Sequence, residues 1–198
     1  MEKIGKAPKV LGLDISTKTI GWALFDIQSK ELLELTHFSP KIKPVPDTKI
    51  EEMLLKAEQF KSKILDYNNV GITKVIIEEP LLNSNNIRTV STLMRYNAFI
   101  TRIIYETLGL VPEFISTYNS RKFAFPELFT ENNKGKKVLF GKYEVGCDKK
   151  YIIWQKVSEK EPHLTWTYTR NNTLKKENFD MCDAYTCVLG YYKQKTVW

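Results

Sequence analysis

Short apolar runs that end on acids alternate along the chain with longer stretches of helical spacing. Val10-Leu11-Gly12-Leu13 fills Lys9–Asp14, which reads as a buried strand, and Ile20–Phe25 reads as a second. The polar link Ser16-Thr17-Lys18-Thr19 is short enough for a β-hairpin, and Gly21 marks a close approach of another backbone. Glu31–Ser39 continues the meander until Pro40, Pro44 and Pro46 break it. Thr48-Lys49-Ile50-Glu51 has the form of a capping box, with Thr48 as N-cap and Glu51 reaching back. Met53, Ala57, Phe60 and Ile64 follow at helical spacing, so this helix runs to about Tyr67. Lys74–Glu78 is the next buried strand, and Pro80 stops it.

Asn83–Asn86 reads as a polar loop. Beyond it Val90, Leu93, Met94, Asn97, Ile100 and Ile104 trace a long amphipathic helix that Gly109 closes. Glu113–Ser116 reads as a short strand, Tyr118–Phe129 as a mixed aromatic-rich segment, and 132–148 as a mobile basic loop. Lys149–Ser158 has helical character, a polar stretch reaches Asn178, and Phe179–Tyr192 is a final apolar helix. The order β-β-β-α-β-α-β followed by helices predicts an α/β architecture, a mixed five-stranded sheet flanked by helices. One domain over residues 1–198, with 1–8 as a flexible leader, accommodates it.

Apolar and charged shares of 42% and 27% are those of an ordinary globular chain. A net charge of +7 favours a polyanionic partner without requiring one. Cys147, Cys182 and Cys187 are odd in number and form no C-x-x-C pair, so they read as reduced thiols. With only His37 and His163, a His-rich metal site and a Ser-His-Asp triad are both disfavoured. The N-terminus lacks the apolar core of a signal peptide and no run approaches a membrane span, so a cytoplasmic protein is expected, of the host cell if viral.

Four acids change the picture. Asp14 and Glu78 end apolar strands, while Asp180 and Asp183 sit at i, i+3 on an otherwise apolar helix. A carboxylate in such surroundings costs stability unless its charge is compensated. Converging acids invite a hard divalent cation with oxygen ligands, Mg²⁺ or Mn²⁺ rather than zinc. If Lys74–Glu78 lies parallel to Lys9–Asp14, their two acids emerge side by side, and the helix face bearing Asp180 and Asp183 can close over them. Two ions about 3.5–4 Å apart then fit, one activating water and the other stabilising the leaving oxygen. Of the adjacent pair Glu78 and Glu79, strand alternation lets only one face the site; Glu78 directly follows the apolar run.

At this point the chain resembles RuvC-type Holliday junction resolvases, phage and viral members above all. Val10 to Leu24 looks like their opening hairpin, Val75-Ile76-Ile77-Glu78 like their second acidic strand, and Asp180-Met181-Cys182-Asp183-Ala184 like their closing D-x-x-D-A helix. The resemblance implies an RNase H-like fold, a homodimer, two Mg²⁺ ions per active site with Mn²⁺ as a substitute, and paired nicking of four-way DNA junctions in recombination and repair. It makes Asp14 the acid shared between the ions, with Glu78, Asp180 and Asp183 completing the set and Glu79 beyond them.

The remaining candidates concern nucleic acid. Lys136, Lys137, Lys149 and Lys150 belong to a lysine-rich run, and Lys176 precedes the acidic helix; each is either a phosphate contact or a solvated side chain. Arg88, Arg95 and Arg102 recur every seven residues, on a face that tracks a backbone or meets solvent. Tyr118, Phe123, Phe125 and Phe129 pack in the core or a dimer, or stack on bases, with Arg121 and Lys122 beside them. Ser16 and Lys18 contact the scissile phosphate or merely build a turn. The leading expectation is a metal-dependent crossover junction endodeoxyribonuclease that leaves 5′-phosphate ends. Its rivals are an RNase H-fold nuclease for flaps or RNA-DNA hybrids, a non-catalytic branched-DNA-binding module, and an ATP-binding sugar-kinase or actin-like protein. The last needs two such domains and a later Gly-rich phosphate turn, which this chain does not provide.

Overall fold

Alternation along the strands sends side chains to two faces of one sheet, and each face is covered by its own helices. The computed structural model describes residues 7–80, 86–132, 134–195 and 198. Strands β1 (Lys9–Ile15), β2 (Ile20–Asp26) and β3 (Leu32–Phe38) form the meander, followed by α1 (Lys49–Leu65), β4 (Ile72–Glu78), α2 (Ile87–Leu108) and β5 (Glu113–Ile115). The sheet order is β3-β2-β1-β4-β5, antiparallel across the meander and parallel from β1 through β4 to β5. This is the expected mixed five-stranded sheet.

Leu11, Leu13, Ile15, Trp22, Val75 and Ile77 face α1 and α2. Val10, Ala23, Phe25, Ile76 and Ile115 face the other way. There they meet α3 (Thr117–Ala124), α4 (Lys149–Lys160) and α5 (Glu177–Gln194). Every residue of α5 from Met181 to Tyr192 is buried, as a helix apolar on all sides must be. It settles directly on the sheet: a Cβ at Gly12 would stand 2.4 Å from the Ala184 carbonyl oxygen. Gly21 makes the same kind of approach, as its position in a buried strand predicts.

The helix ends follow the expected chemistry. Thr48 caps α1 by accepting from the Glu51 N–H, and Gly109 ends α2 in the left-handed region at φ 67°. The aromatic-rich segment, read as mixed, holds a helix, α3, whose N-cap Ser116 accepts from the Asn119 N–H, and then a 3₁₀ turn at Pro126–Leu128. One expectation is corrected. The stretch 132–148 is not simply a loop: β6 (Phe129–Glu131) pairs with β7 (Lys137–Leu139), and Phe140 is buried against α4 and α5. Its lysines stay outside, where an edge strand tolerates them. Of the leader, residues 1–6 lie outside the described residues, while the Pro8 carbonyl accepts from the Ile27 N–H and ties the chain to the sheet. The predicted loop residues 83–85 also lie outside them. Among the described residues no helix is long and apolar enough to cross a membrane.

Candidate active site

Strand register builds the site. Asp14 lies opposite Gly21 on β2, and Leu13 opposite Ile77 on β4, so Asp14 and Glu78 leave neighbouring strands at the same level. Both share the parity of Gly12 and Ile76 and therefore face α5. Ligand oxygens of Asp14, Glu78 and Asp183 lie within 4.8 Å of one another. Asp180, one helical turn earlier, lines the same cavity of about 310 Å³ without joining that inner group. Glu79 follows the strand end, is exposed, and uses its N–H on the Ile115 carbonyl.

Two cations that sequence reasoning assigned to DNA sit among these acids. Arg121 is buried on α3 and donates to Asp183 Oδ1 at 2.8 Å. The Lys150 ammonium, on α4, lies 3.2 Å from Asp183 Oδ2 and 3.5 Å from Asp180. Arg121 is thereby corrected: a guanidinium enclosed with a buried carboxylate is not a surface phosphate contact. Thr117, also unforeseen, donates a short hydrogen bond to Glu78 Oε1. The pairing of Glu78 with Ile115 on β5 brings Thr117 there, two residues on, at the start of α3.

Burial, and then the charges of Glu78, Asp183 and Asp180, push Asp14 well above the usual aspartate range, against the pull of Lys150. Burial and Asp183 push Glu78 up to about 7, although the Thr117 hydrogen bond, Arg121 and Lys150 oppose it. Asp180 is raised chiefly by burial. For Lys150 burial pulls downward, but Asp183, Asp14 and Asp180 outweigh it and hold the ammonium above the ordinary lysine value. Enclosed in this way, the acids favour their protonated forms unless a further positive charge joins the two cations. Glu78 Oε2 is buried and has no hydrogen-bond partner among the described residues. Three carboxylates with one unpartnered buried oxygen fit a hard divalent cation, whose bonds of about 2.0–2.6 Å can draw such ligands together.

The other candidates divide. Ser16 Oγ donates to the Thr19 carbonyl at 2.7 Å and accepts from the Thr19 N–H, so it builds the turn, yet it also lines the acid cavity. Lys56, buried on α1 between the apolar positions 53 and 60, donates to the Thr17 carbonyl at 2.8 Å and anchors the same turn. Lys18 and Lys176 join Lys150 and Asp180 around an adjoining cavity of about 450 Å³. Arg88 lines a third cavity, which shares Ser16 with the acid cavity. Arg95 is exposed, and Arg102 is paired with Glu106 at 2.7 Å. The Lys122 ammonium lies 5.0 Å from the Phe129 ring and 5.8 Å from that of Tyr118, while Lys149 lies 5.9 Å from the buried Phe140. Lys136 and Lys137 are exposed on the small hairpin, outside these cavities. Of the aromatics, Phe125 is in the core and Tyr118 is half exposed.

A sheet of this order, with acids at the ends of its two central strands and on the closing helix, is RNase H-like. Comparison with solved structures agrees. RuvC from Thermus thermophilus in complex with a Holliday junction substrate superposes with a TM-score of 0.61 at 9% identity, covering 95% of this chain and 96% of that one. A second Thermus thermophilus RuvC structure gives 0.56 at 12% identity, covering 96% and 97%. No protein-family model and no curated protein sequence matches the chain.

Proposed function

We propose that this protein is a metal-dependent, structure-selective endodeoxyribonuclease that resolves Holliday junctions or related branched DNA by paired nicking. The observation that carries the reading is the convergence of Asp14, Glu78 and Asp183 at the end of an RNase H-like sheet. In this reading Asp14, Glu78, Asp180 and Asp183 hold two Mg²⁺ ions, with Mn²⁺ as a substitute. The ions supply an activated water and charge stabilisation at the leaving oxygen. The chain's part is positioning. Thr117 fixes the Glu78 carboxylate through Oε1 and leaves the buried Oε2 without a partner among the described residues. Arg121 holds Asp183 through one oxygen, and the half-exposed Lys150 is the cation able to turn from the acids to a phosphate. Lys18, Lys176 and Arg88 border the path of the cut strand. Cleavage between phosphate and the 3′ oxygen leaves 5′-phosphate ends. Two nicks in one junction call for two sites, hence a homodimer, acting in recombination or repair in the cytoplasm.

A second reading has an observation of its own. Arg121 and Lys150 already pair both oxygens of Asp183. That suits a branched-DNA-binding module whose acids are charge-balanced internally and take no ion.

One assay separates these. A four-way junction, a three-way junction, a flap, a linear duplex and an RNA-DNA hybrid are incubated with and without Mg²⁺. Symmetric paired nicks confined to the four-way junction are expected. Cutting of the hybrid or flap alone would move the substrate elsewhere in the nuclease class. Junction binding with no cutting in Mg²⁺ or Mn²⁺ would favour the second reading.

A further inference from the structure

Between α4 and α5 the chain makes a small exposed hairpin that the acid site does not use. Tyr168 bridges Leu174, and the Thr169 N–H donates to the Thr173 carbonyl at 2.8 Å. The two threonine hydroxyls meet at 2.6 Å, and the Asn172 N–H closes the tip on the Thr169 carbonyl. Arg170 and Asn171 occupy the turn, with Asn172 in the left-handed region at φ 57°. All of 167–173 is exposed. From Leu164 to Lys176 there are three cations, Arg170, Lys175 and Lys176, and no acid.

The base of this hairpin is built to hold it still. Asn178 is fully buried and spends its whole amide on Thr167: Oδ1 accepts from the Thr167 N–H and hydroxyl, and Nδ2 donates to the Thr167 carbonyl at 2.7 Å. Trp166, one residue earlier, packs edge-on against Trp154 of α4 at 6.0 Å. With its amide hydrogen-bonded at both ends, the buried asparagine offsets its desolvation and fixes the direction in which the loop leaves the core. The return leg runs through Lys176, which lines the cavity next to the acids, straight into the helix carrying Asp180 and Asp183. The tip therefore stands at a fixed offset from the acid cluster.

We propose that this hairpin reads base edges in the duplex arm beside the cleft, with Arg170, Asn171 and Asn172 setting where the nick falls. A two-stranded ribbon fits the major groove, and the side chains at this tip are the types that pair with guanine (Arg) and adenine (Asn) edges. Lys175 and Lys176 supply phosphate contacts that fix the register of the arm. The proposal rests on the acid cleft being a DNA-cutting site, and it adds a sequence filter to structural selectivity.

The test uses the full chain and the variant R170A/N171A/N172G. Glycine at 172 keeps the left-handed turn open, and the exposed positions leave the core intact. Four-way junctions with randomised arms are selected for binding in EDTA and sequenced, and nick positions are mapped separately in Mg²⁺. The wild-type chain should enrich particular bases at a fixed distance from the crossover, by roughly 5- to 150-fold per bidentate contact, while the variant flattens this to within about twofold. Its nicks should spread over neighbouring positions in the same way. An identical enrichment profile in the variant, or no enrichment by the wild-type chain, overturns the proposal. Enrichment by a wild-type chain that nicks nothing overturns the nuclease reading and the nick-setting role with it, and leaves base reading by the hairpin standing, because the selection needs no cleavage.

Discussion

Asp180 lies with its backbone against Gly21, and a Cβ on that glycine would stand 1.9 Å from the Asp180 carbonyl oxygen. No side-chain rearrangement relieves a clash with backbone, so Gly21→Ala must push the first turn of α5 off the sheet. The expected stability loss is about 1–3 kcal/mol, the ordinary cost of overpacking. Cleavage should fall further, since misplacing catalytic groups by about 1 Å costs about 10²-fold. Urea unfolding beside nicking rates checks this; a variant with lowered stability and unchanged nicking would detach the Gly21 contact from the site.

Asp14→Asn should abolish nicking, keep junction binding, and raise the melting temperature of the metal-free chain, because it removes a buried charge held at a cost. Mg²⁺ should then raise the melting temperature of the wild-type chain and leave the variant unmoved. The pH dependence has a definite sign. Glu78 titrates at about 7 in the fold against an ordinary 4.5, so the folded state binds the proton more tightly. Metal-free stability therefore rises as pH falls through that interval, and Glu78→Gln flattens the rise.

The two cations of the cluster should separate in their effects. Arg121→Met leaves the buried Asp183 with the half-exposed Lys150 as its cation and lowers stability by about 3 kcal/mol. Lys150→Met removes a half-exposed partner, costs at most about 1 kcal/mol, and falls instead on nicking. Equal destabilisation by the two would make Lys150 a structural counter-ion only.

Lys18→Gln with Lys176→Gln should weaken junction binding for all sequences alike. It should also reduce the slope of log affinity against log salt by about 2, one per lost phosphate contact. An unchanged slope removes the adjoining cavity from the DNA path.

On β5, two residues before the Ile115 that pairs with Glu78, Glu113 is held at about 2, below its ordinary 4.5, by a hydrogen bond from Lys74 and then one from Tyr191, with Lys195 beside them. Its contribution to stability is complete above pH 4.5 and disappears as pH falls towards 2. Glu113→Gln should remove that acid-side slope in thermal melts and leave nicking at neutral pH untouched.

The acids at strand ends and the parallel placement of β1 and β4 were legible because apolar runs have one period and one exit. Gly21 was legible for the same reason: a glycine in a buried strand asks what lies against it. Arg121, Lys150 and Thr117 were not. Each reaches the acids through tertiary packing of short or late helices, and an arginine spent on one buried carboxylate looks in sequence like an arginine spent on phosphate. The segment 132–148 misled because its lysines are the exposed residues around β7, while Leu139, Phe140 and Tyr143 carry the packing. Alternation let only one of Glu78 and Glu79 face the site, the apolar run before Glu78 favoured it, and Glu78 is the acid in the inner group.

The closing helix is enclosed along Met181–Tyr192. Elements with so little exposed surface open only when the whole domain does, and their amides exchange with solvent at the slowest rate in the molecule. Asp183 stands on that element. The candidate centre is therefore formed in the free chain, and its integrity is tied to global unfolding rather than to local opening.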